Sequence, residues 1–296
     1  MTRPAPVAAA GLAVLLASSS AGLETPPGPP RLSPPAQVAQ VVGVSTVQVT
    51  YDRPAVAGRV IWGEAVPWKE VWRPGADEPA TISLGDDVEV AGEPLAAGSY
   101  LLFTIPDPEE WVLIFQSETE GGGTSVYDPE REALRIRVRP RRAPFQERLL
   151  IYFPSVGADS VTVAIAWEEV LVPFEVSVDL ERTVLERARA FVAAASPQDG
   201  PRVWEWANYL YRNDLGTEDA LGWAAALAAS SPMYWTHALH ARLLARSGRT
   251  AEAAAAAERA LAHVEGESEQ GGEIGEDARL LASEAEAWRG VEPPAR

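Results

Sequence analysis

The sequence predicts an all-β sandwich of the jelly-roll-like type, followed by an all-α domain of helical hairpins. Apolar and polar residues alternate from about residue 37 to Leu180, and turn residues divide this region into about nine short segments without a helix between them. After Leu180, apolar residues recur about every 3.6 positions, which indicates an amphipathic helix. Two similar helix pairs then follow at a spacing of about 34 residues.

Composition restricts the classes of function. The chain has 296 residues, enough for two domains, and a formal net charge of −17. An acidic protein of this kind disfavours nucleic acid and anionic lipid as partners. The absence of cysteine excludes thiol catalysis, zinc–thiolate sites, disulfides and lipid anchoring through an N-terminal cysteine. We predict no cofactor and no metal site.

The first part of the chain has the features of a targeting segment. Residues 1–21 contain Arg3, an apolar run from Val7 to Ala17, and small residues up to Ala21, which together predict a secretory signal peptide. The alternative is an alanine-rich leader without structure. Residues 22–36 are proline-rich and predict an extended linker. The expected mature protein is exported, periplasmic or extracellular, and has no transmembrane anchor after signal cleavage.

The predicted β-sandwich covers residues 37–180. Its central strand is Leu95–Pro106, which follows a turn, is entered through Gly98 and stops at proline. Glycine, aspartate and proline separate the other segments. Strands are predicted at residues 47–51, 81–84, 88–90, 100–105, 111–115, 134–138, 149–153, 161–167 and 170–178.

The predicted helical domain covers residues 181–296. Ser231 and Pro232 are expected to start one helix, and the acidic, glycine-rich segment Glu265–Glu276 is expected to be a loop. The distance from Thr217 to Thr250 is 33 residues, so the helix pairs resemble tetratricopeptide hairpins. Helices are predicted at residues 184–192, 204–211, 217–229, 233–246, 251–264 and 277–289.

Three ordered blocks in the β region carry a resemblance to a known family. The blocks are Tyr51–Pro54 with Gly58–Gly63, then Val66-Pro67 with Val71–Arg73 and Gly75–Glu78, then Leu95–Pro106 with Trp111–Phe115. They resemble the bacterial family called domain of unknown function 2911. The resemblance implies an exported β-sandwich protein, often followed by helical repeats, and implies no particular chemistry.

The loop-rich connection between the predicted strands at residues 47–51 and 81–84 carries the densest group of aromatic and polar residues. The candidate ligand-binding residues are Trp62, Trp68, Trp72, Arg73, Asp77 and Glu78. Indole rings can stack on sugars or on aromatic peptide side chains, and the carboxylates can accept hydrogen bonds from hydroxyl groups. In the alternative interpretation the connection closes one end of the sandwich, the tryptophans fill the core, and Arg73 pairs with a carboxylate.

A second candidate surface is basic. Arg135, Arg137 and Arg139 alternate with apolar residues and therefore share one face of a strand. This face is either a site for an anion or an acidic glycan, or a solvated face balanced by acidic neighbours. All three histidines lie after residue 230, which excludes a Ser-His-Asp triad confined to the β region.

The sequence therefore favours a non-catalytic binding or scaffolding module that recognises an envelope polymer or protein partner, rather than an enzyme. The alternative is a carboxylate-based hydrolase acting on glycans, with Glu78 as one acid. That chemistry needs two carboxylates facing each other across about 5–10 Å. A third interpretation gives both domains a purely structural role.

Overall fold

The computed structural model describes residues 29–117, 127–267 and 272–290. The predicted signal peptide and most of the predicted linker lie outside these residues. Within them, ten strands precede six helices. The strands are β1 (Pro35–Val42), β2 (Ser45–Asp52), β3 (Thr81–Leu84), β4 (Val88–Val90), β5 (Glu93–Leu95), β6 (Gly98–Ile105), β7 (Trp111–Ser117), β8 (Glu132–Val138), β9 (Arg141–Val156) and β10 (Ser160–Val178).

The strands form two antiparallel sheets. One has six strands in the order β1-β2-β3-β6-β7-β8, and the other has four in the order β5-β4-β10-β9. The predicted central strand corresponds to β6, which has a neighbour on each side. Both faces of β6 are buried from Tyr100 to Thr104: Leu102 faces the main core, whereas Leu101 and Phe103 pack on the other face in a smaller apolar cluster.

Side chains from both sheets form one apolar core. Val49 and Leu113 of the six-stranded sheet belong to the same cluster as Ile151, Ile165 and Val176 of the four-stranded sheet, and none of these is more than 2% exposed. Each such side chain contributes about 1.5–3 kcal/mol when it leaves water. The core therefore holds the two sheets together.

Several predicted strand boundaries were wrong. The strands predicted at 161–167 and 170–178 form the single strand β10, because it stays paired with β9 across irregularities beside Glu168. Strand β9 begins at Arg141, well before the predicted start, because its first half is mostly exposed and lacks the alternation of a buried strand. Strand β1 begins inside the predicted linker, and the short strand β5 was not predicted.

The six helices are α1 (Leu180–Ala194), α2 (Gly200–Arg212), α3 (Thr217–Ser230), α4 (Tyr234–Arg246), α5 (Thr250–Glu267) and α6 (Gly272–Arg289). Successive helices from α2 to α6 pack on one another. None of the helices in the described ranges combines the length and the apolar character needed to cross a membrane.

Several helix boundaries differ from prediction, and helices α1 and α2 each start four residues earlier than predicted. Helix α4 starts at Tyr234, one residue later than expected. Its N-cap is Met233, because Ser231 caps the C-terminus of α3. The Thr236 hydroxyl donates to the Ser231 carbonyl at 2.9 Å and fixes this connection. Helix α5 extends to Glu267 and α6 starts at Gly272, so most of the predicted loop 265–276 is helical, and residues 268–271 lie outside the described part.

The helices are attached directly to the sheets. Only Asp179 separates β10 from α1, and its carboxylate accepts a hydrogen bond from the Arg182 N–H at 3.0 Å as an N-cap. Gly43 lies so close to α1 that an added Cβ would be 2.4 Å from Leu180 Cδ1. An ion pair of 2.7 Å between Arg187 and Asp86 adds a second contact between the two regions.

Candidate functional site

The long connection between β2 and β3 is fixed along the edge of β6. Strand β3 is only four residues long, so it leaves the second half of β6 without a strand neighbour on that side. Trp72 occupies this edge through two backbone hydrogen bonds with Thr104, of 2.7 and 2.8 Å, and the Lys69 N–H donates to the Pro106 carbonyl at 2.8 Å. The connection is therefore an ordered part of the sheet edge.

Five tryptophans form a cluster here, three from the connection and two from strands β7 and β10. The Trp62 ring lies edge-on to the rings of Trp72, Trp111 and Trp167, with centroids 5.7, 5.1 and 5.9 Å apart. Trp72 is stacked on Trp167 at 5.9 Å. Trp111 and Trp167 are almost completely buried, and Trp62 and Trp72 pack against the same core. These four rings close one end of the β core, as the structural alternative predicted.

The fifth ring extends the cluster outward. Trp68 is stacked on Trp62, with centroids 6.2 Å apart and planes inclined by 27°. Both of these rings line a cleft of about 480 Å³, whose floor is Trp111 and whose rim includes Phe145. The Phe145 side chain is 56% exposed and so presents an apolar ring at this rim. Trp62 thus links the core to an open aromatic surface.

Two indole N–H groups in the cluster are buried without a conventional acceptor among the described residues. They are Trp62 Nε1 and Trp167 Nε1. The two rings are nearly perpendicular, at 85°, and the face of a perpendicular aromatic ring can accept an N–H group. The cluster therefore contains polar atoms that the surrounding protein satisfies only weakly.

The polar rim of the cleft lies at an irregular part of the four-stranded sheet. Glu168 borders the cleft, interrupts the β9–β10 register on both sides and has a backbone φ of +54°. Lys69, which follows Trp68, has a φ of +65°. Each such conformation costs on the order of 1–3 kcal/mol for a residue other than glycine. Backbone strain of this kind is frequent at functional sites, and here one strained residue, Glu168, lines the cleft while the other, Lys69, directly follows a residue that lines it.

A second cavity of about 750 Å³ adjoins the cleft, because Asp107 lines both. The Lys69 ammonium lies 3.7 Å from the Asp107 carboxylate. The Glu109 backbone N–H, followed by the charge of Lys69, lowers the pKa of Asp107 below its ordinary value. Asp107 is therefore a stable carboxylate, which suits hydrogen-bond acceptance better than general-acid catalysis.

The structure separates the predicted site residues. Trp62 and Trp68 line the cleft, whereas Trp72 packs against the apolar core and does not line the cleft. Arg73 donates to the Ala76 carbonyl at 2.5 Å and does not form the predicted ion pair with a carboxylate of the described residues. Asp77 and Glu78 are exposed on a tight turn, where the Glu78 N–H donates to the Asp52 carboxylate at 2.9 Å, and neither lines the cleft.

Some residues of the cleft were not predicted as part of the site. They are Phe145, Arg141, Arg142, Glu168 and Glu169, from the start of β9 and the middle of β10. Arg142 and Glu169 form an ion pair of 2.9 Å across the two strands. One sequence signal was present: Phe145 stands among arginine and proline rather than in an apolar alternation, so its ring has no core face to occupy.

The three arginines of the predicted anion patch have different surroundings. Arg135 bonds to the Glu132 carboxylate at 2.6 Å, and this hydrogen bond is the main reason that the pKa of Glu132 is lowered. Arg137 pairs with Glu110 at 2.5 Å. Arg139 lines the second cavity and has no ion-pair partner within the described ranges. Most of the patch is therefore balanced by neighbouring acids.

The helical region has a groove of its own. Trp204, Tyr211 and Trp235 line a cavity of about 330 Å³ between α2 and α4. Arg242 borders it and pairs with Asp277 at 2.8 Å and with Glu284 at 2.9 Å, which joins α4 to α6. The described residues contain no cluster of three or more metal-ligating side chains.

Fold and site together define a two-part protein, with an antiparallel β core that ends in an aromatic cleft and a helical region that follows it. Residues 33–176 match the family described as "Protein of unknown function (DUF2911)". The resemblance inferred from three sequence blocks is thereby confirmed for this segment, and the helices lie outside the match. No curated protein and no solved structure matches the chain.

Proposed function

We propose that the protein is a non-catalytic binding module that holds a polymer or protein partner of the cell envelope in the tryptophan cleft. The observation that supports this proposal is the Trp62–Trp68 stack, which extends from the core to an open cleft of about 480 Å³. Aromatic walls with a few charged groups at the rim are typical of ligand sites. The helical groove beside Trp204 is a second surface that the same partner can contact.

The finer architecture and the location are part of the same proposal. The shared core supports a sandwich of jelly-roll-like type, and the sequential packing from α2 to α6 supports tetratricopeptide-like hairpins. Export rests on the predicted signal in residues 1–21. N-terminal sequencing of the mature protein tests it: cleavage after Ala21 supports export, and retention of Met1 contradicts it.

Site-specific crosslinking tests binding at the cleft. A photo-crosslinking amino acid at position 145, on the rim, is compared with one at position 156, an exposed residue at the far end of β9. With purified envelope polymers and proteins as probes, we expect a defined adduct from position 145 that disappears in Trp68→Ala. Equal adducts from both positions, or none from either, would contradict the proposal.

The hydrolase alternative loses its first candidate acid, because Glu78 does not line the cleft. Asp107, Glu168 and Glu169 are the carboxylates at the rim. A glycosidase acid needs a raised pKa, and the pKa of Asp107 is shifted in the opposite direction. Release of reducing ends from an envelope glycan by the wild type, with loss in Glu168→Gln, would replace binding by hydrolysis as the function.

A further inference from the structure

We propose that the ligand of the tryptophan cleft is a neutral, hydroxyl-rich glycan chain. This inference rests on the proposed function and specifies the chemical class of its ligand. The first argument is the stack of Trp68 on Trp62, two nearly parallel rings that both line the cleft. The C–H face of a sugar ring is apolar and flat enough to stack on the electron-rich face of an indole.

The rim has the hydrogen-bonding groups that hydroxyls require. Arg141 and Arg142 donate, whereas Glu168, Glu169 and Asp107 accept, and all five border the cleft. A hydroxyl group both donates and accepts, so donors and acceptors placed side by side can be used together. The ion pair between Arg142 and Glu169 holds one such donor and acceptor at 2.9 Å.

The charges around the cleft favour a neutral ligand over a polyanion. The cationic residues of the two adjoining cavities are Lys69, Arg137, Arg139, Arg141 and Arg142. They are matched in number by Asp107, Glu109, Glu110, Glu168 and Glu169. An anionic polymer would approach equal numbers of attractive and repulsive groups on a protein whose net charge is −17.

The shape of the site favours a chain rather than a single sugar. The cleft and the second cavity, of about 480 and 750 Å³, are neighbours that share Asp107 as a lining residue. A peptide added as a strand would find the edge of β9 already covered at Glu147 and Leu149, next to the part that lines the cleft. The Val56 N–H donates to the Glu147 carbonyl at 2.7 Å, and the Leu149 N–H donates to the Pro54 carbonyl at 3.0 Å.

Calorimetric titration with soluble oligosaccharides tests the inference on the full chain. The probes are gluco-, xylo-, manno- and chito-oligosaccharides, with oligogalacturonate as the anionic comparison and a proline-rich peptide as the peptide comparison. We expect a neutral oligosaccharide to bind, and Trp68→Ala to weaken it about tenfold. Its affinity should change less than about twofold between roughly 0.05 and 0.5 M salt, since no charge is neutralised.

Tyr209→Ala is the matched control, because Tyr209 is an exposed aromatic side chain outside every cavity described above. Phe145→Ala provides a second cleft variant with a side chain that contributes little to the core. Binding of the peptide, or strongly salt-dependent binding of oligogalacturonate, that is lost in Trp68→Ala would contradict the neutral glycan as ligand. The proposed binding function of the cleft would then still hold. Failure of every probe in the wild type, or binding by both Trp68→Ala and Phe145→Ala as tight as that of the wild type, would overturn the inference as well.

Discussion

The indole of Trp62 lies edge-on to the buried indole of Trp111, with ring centroids 5.1 Å apart and planes inclined by 69°. Because Trp62 also stacks on Trp68, it belongs both to the core and to the cleft. Replacing it with alanine should remove packing around Trp72, Trp111 and Trp167. Trp68 has Trp62 as its one ring contact among the described residues. Replacing Trp68 should therefore lower the free energy of unfolding less than replacing Trp62.

We therefore predict unequal effects on stability from two neighbouring tryptophans. Trp62→Ala should lower the free energy of unfolding by about 3 kcal/mol, because it leaves a cavity among buried rings. Trp68→Ala should lower it by about 1 kcal/mol, the contribution of one aromatic pair. Urea unfolding measures both values. Equal losses would mean that the cleft ring is as important to the core as Trp62.

The backbone of Glu168 gives a second prediction. Its φ of +54° is unfavourable for any residue except glycine, so Glu168→Gly should raise the free energy of unfolding by about 1 kcal/mol. Ala91, with a φ of +51° in the β4–β5 turn, is the matched control, and Ala91→Gly should give a similar gain. Thermal unfolding measures both. If Glu168→Gly is destabilising and Ala91→Gly is not, the Glu168 carboxylate contributes more to the free energy of unfolding than the backbone strain costs.

Gly63 supports the position of Trp68. A Cβ at Gly63 would lie 2.6 Å from Trp68 Nε1, and its φ of +89° already disfavours a side chain. Gly92 has a similar φ of +85° but no neighbour within 4 Å. Gly92→Ala should therefore lower the free energy of unfolding by only about 1 kcal/mol, the cost of the backbone conformation. Gly63→Ala should lower it further and displace the Trp68 indole.

Fluorine NMR of protein labelled with 5-fluorotryptophan measures the displacement. The resonance of Trp68, assigned by its absence in Trp68→Ala, should shift in Gly63→Ala and stay in place in Gly92→Ala. An unchanged resonance in both variants would mean that the ring accommodates the added methyl group without moving.

The success of the sequence-based predictions follows the strength of local signals. Continuous runs of apolar and β-favouring residues predicted β6 and β7 well, because both faces of these strands are buried, and the change of period at Leu180 marks the observed start of α1. The start of β9 was missed, because an exposed edge needs no apolar alternation. Asp77 and Glu78 were part of the predicted site, but spacing along the chain could not separate Glu78 from Trp68. Their separation depends on the hydrogen bonds of the connection with β6 and with Asp52.

The histidines of α4 predict a dependence of stability on pH. Burial, and after it the positive charge of Arg259, lowers the pKa values of His237 and His240 below 6.5. Other groups that act on them are His263, Arg249 and Glu252. The unfolded chain then binds more protons than the folded chain below about pH 6.5, so stability should fall on acidification through that range.

Thermal unfolding from about pH 8 to about pH 5 measures this dependence. The variant His237→Asn/His240→Gln should have a flatter profile between about pH 6.5 and pH 5, because neither replacement titrates. His263→Gln is the comparison, since His263 stacks on His237 at 5.5 Å but belongs to the neighbouring helix. An unchanged slope in the double variant would assign the acid sensitivity to other groups.

The final prediction concerns the polar contact between α4 and α6. Asp277 accepts hydrogen bonds from the Tyr234 hydroxyl at 2.5 Å and from Arg242 at 2.8 Å, and the Arg242 side chain is only 17% exposed. Burial, the largest single influence, raises the pKa of Asp277, but the hydrogen bonds from Arg242 and Tyr234 and the charge of Arg242 together outweigh it, so the pKa is lowered overall. Asp277→Ala would leave a buried hydroxyl without its acceptor and a guanidinium with one carboxylate fewer.

This loss should cost about 3 kcal/mol of unfolding free energy, the range found when one partner of a buried charged network is removed. Asp219→Ala is the matched control, because Asp219 also joins two helices through an arginine, but Arg189 is 57% exposed. The control should cost less than about 1 kcal/mol. Urea unfolding compares the two. If both variants lose the same small amount, the α4–α6 contact depends on its alanine and leucine packing, and the Tyr234–Asp277–Arg242 network contributes little to the stability of the helical region.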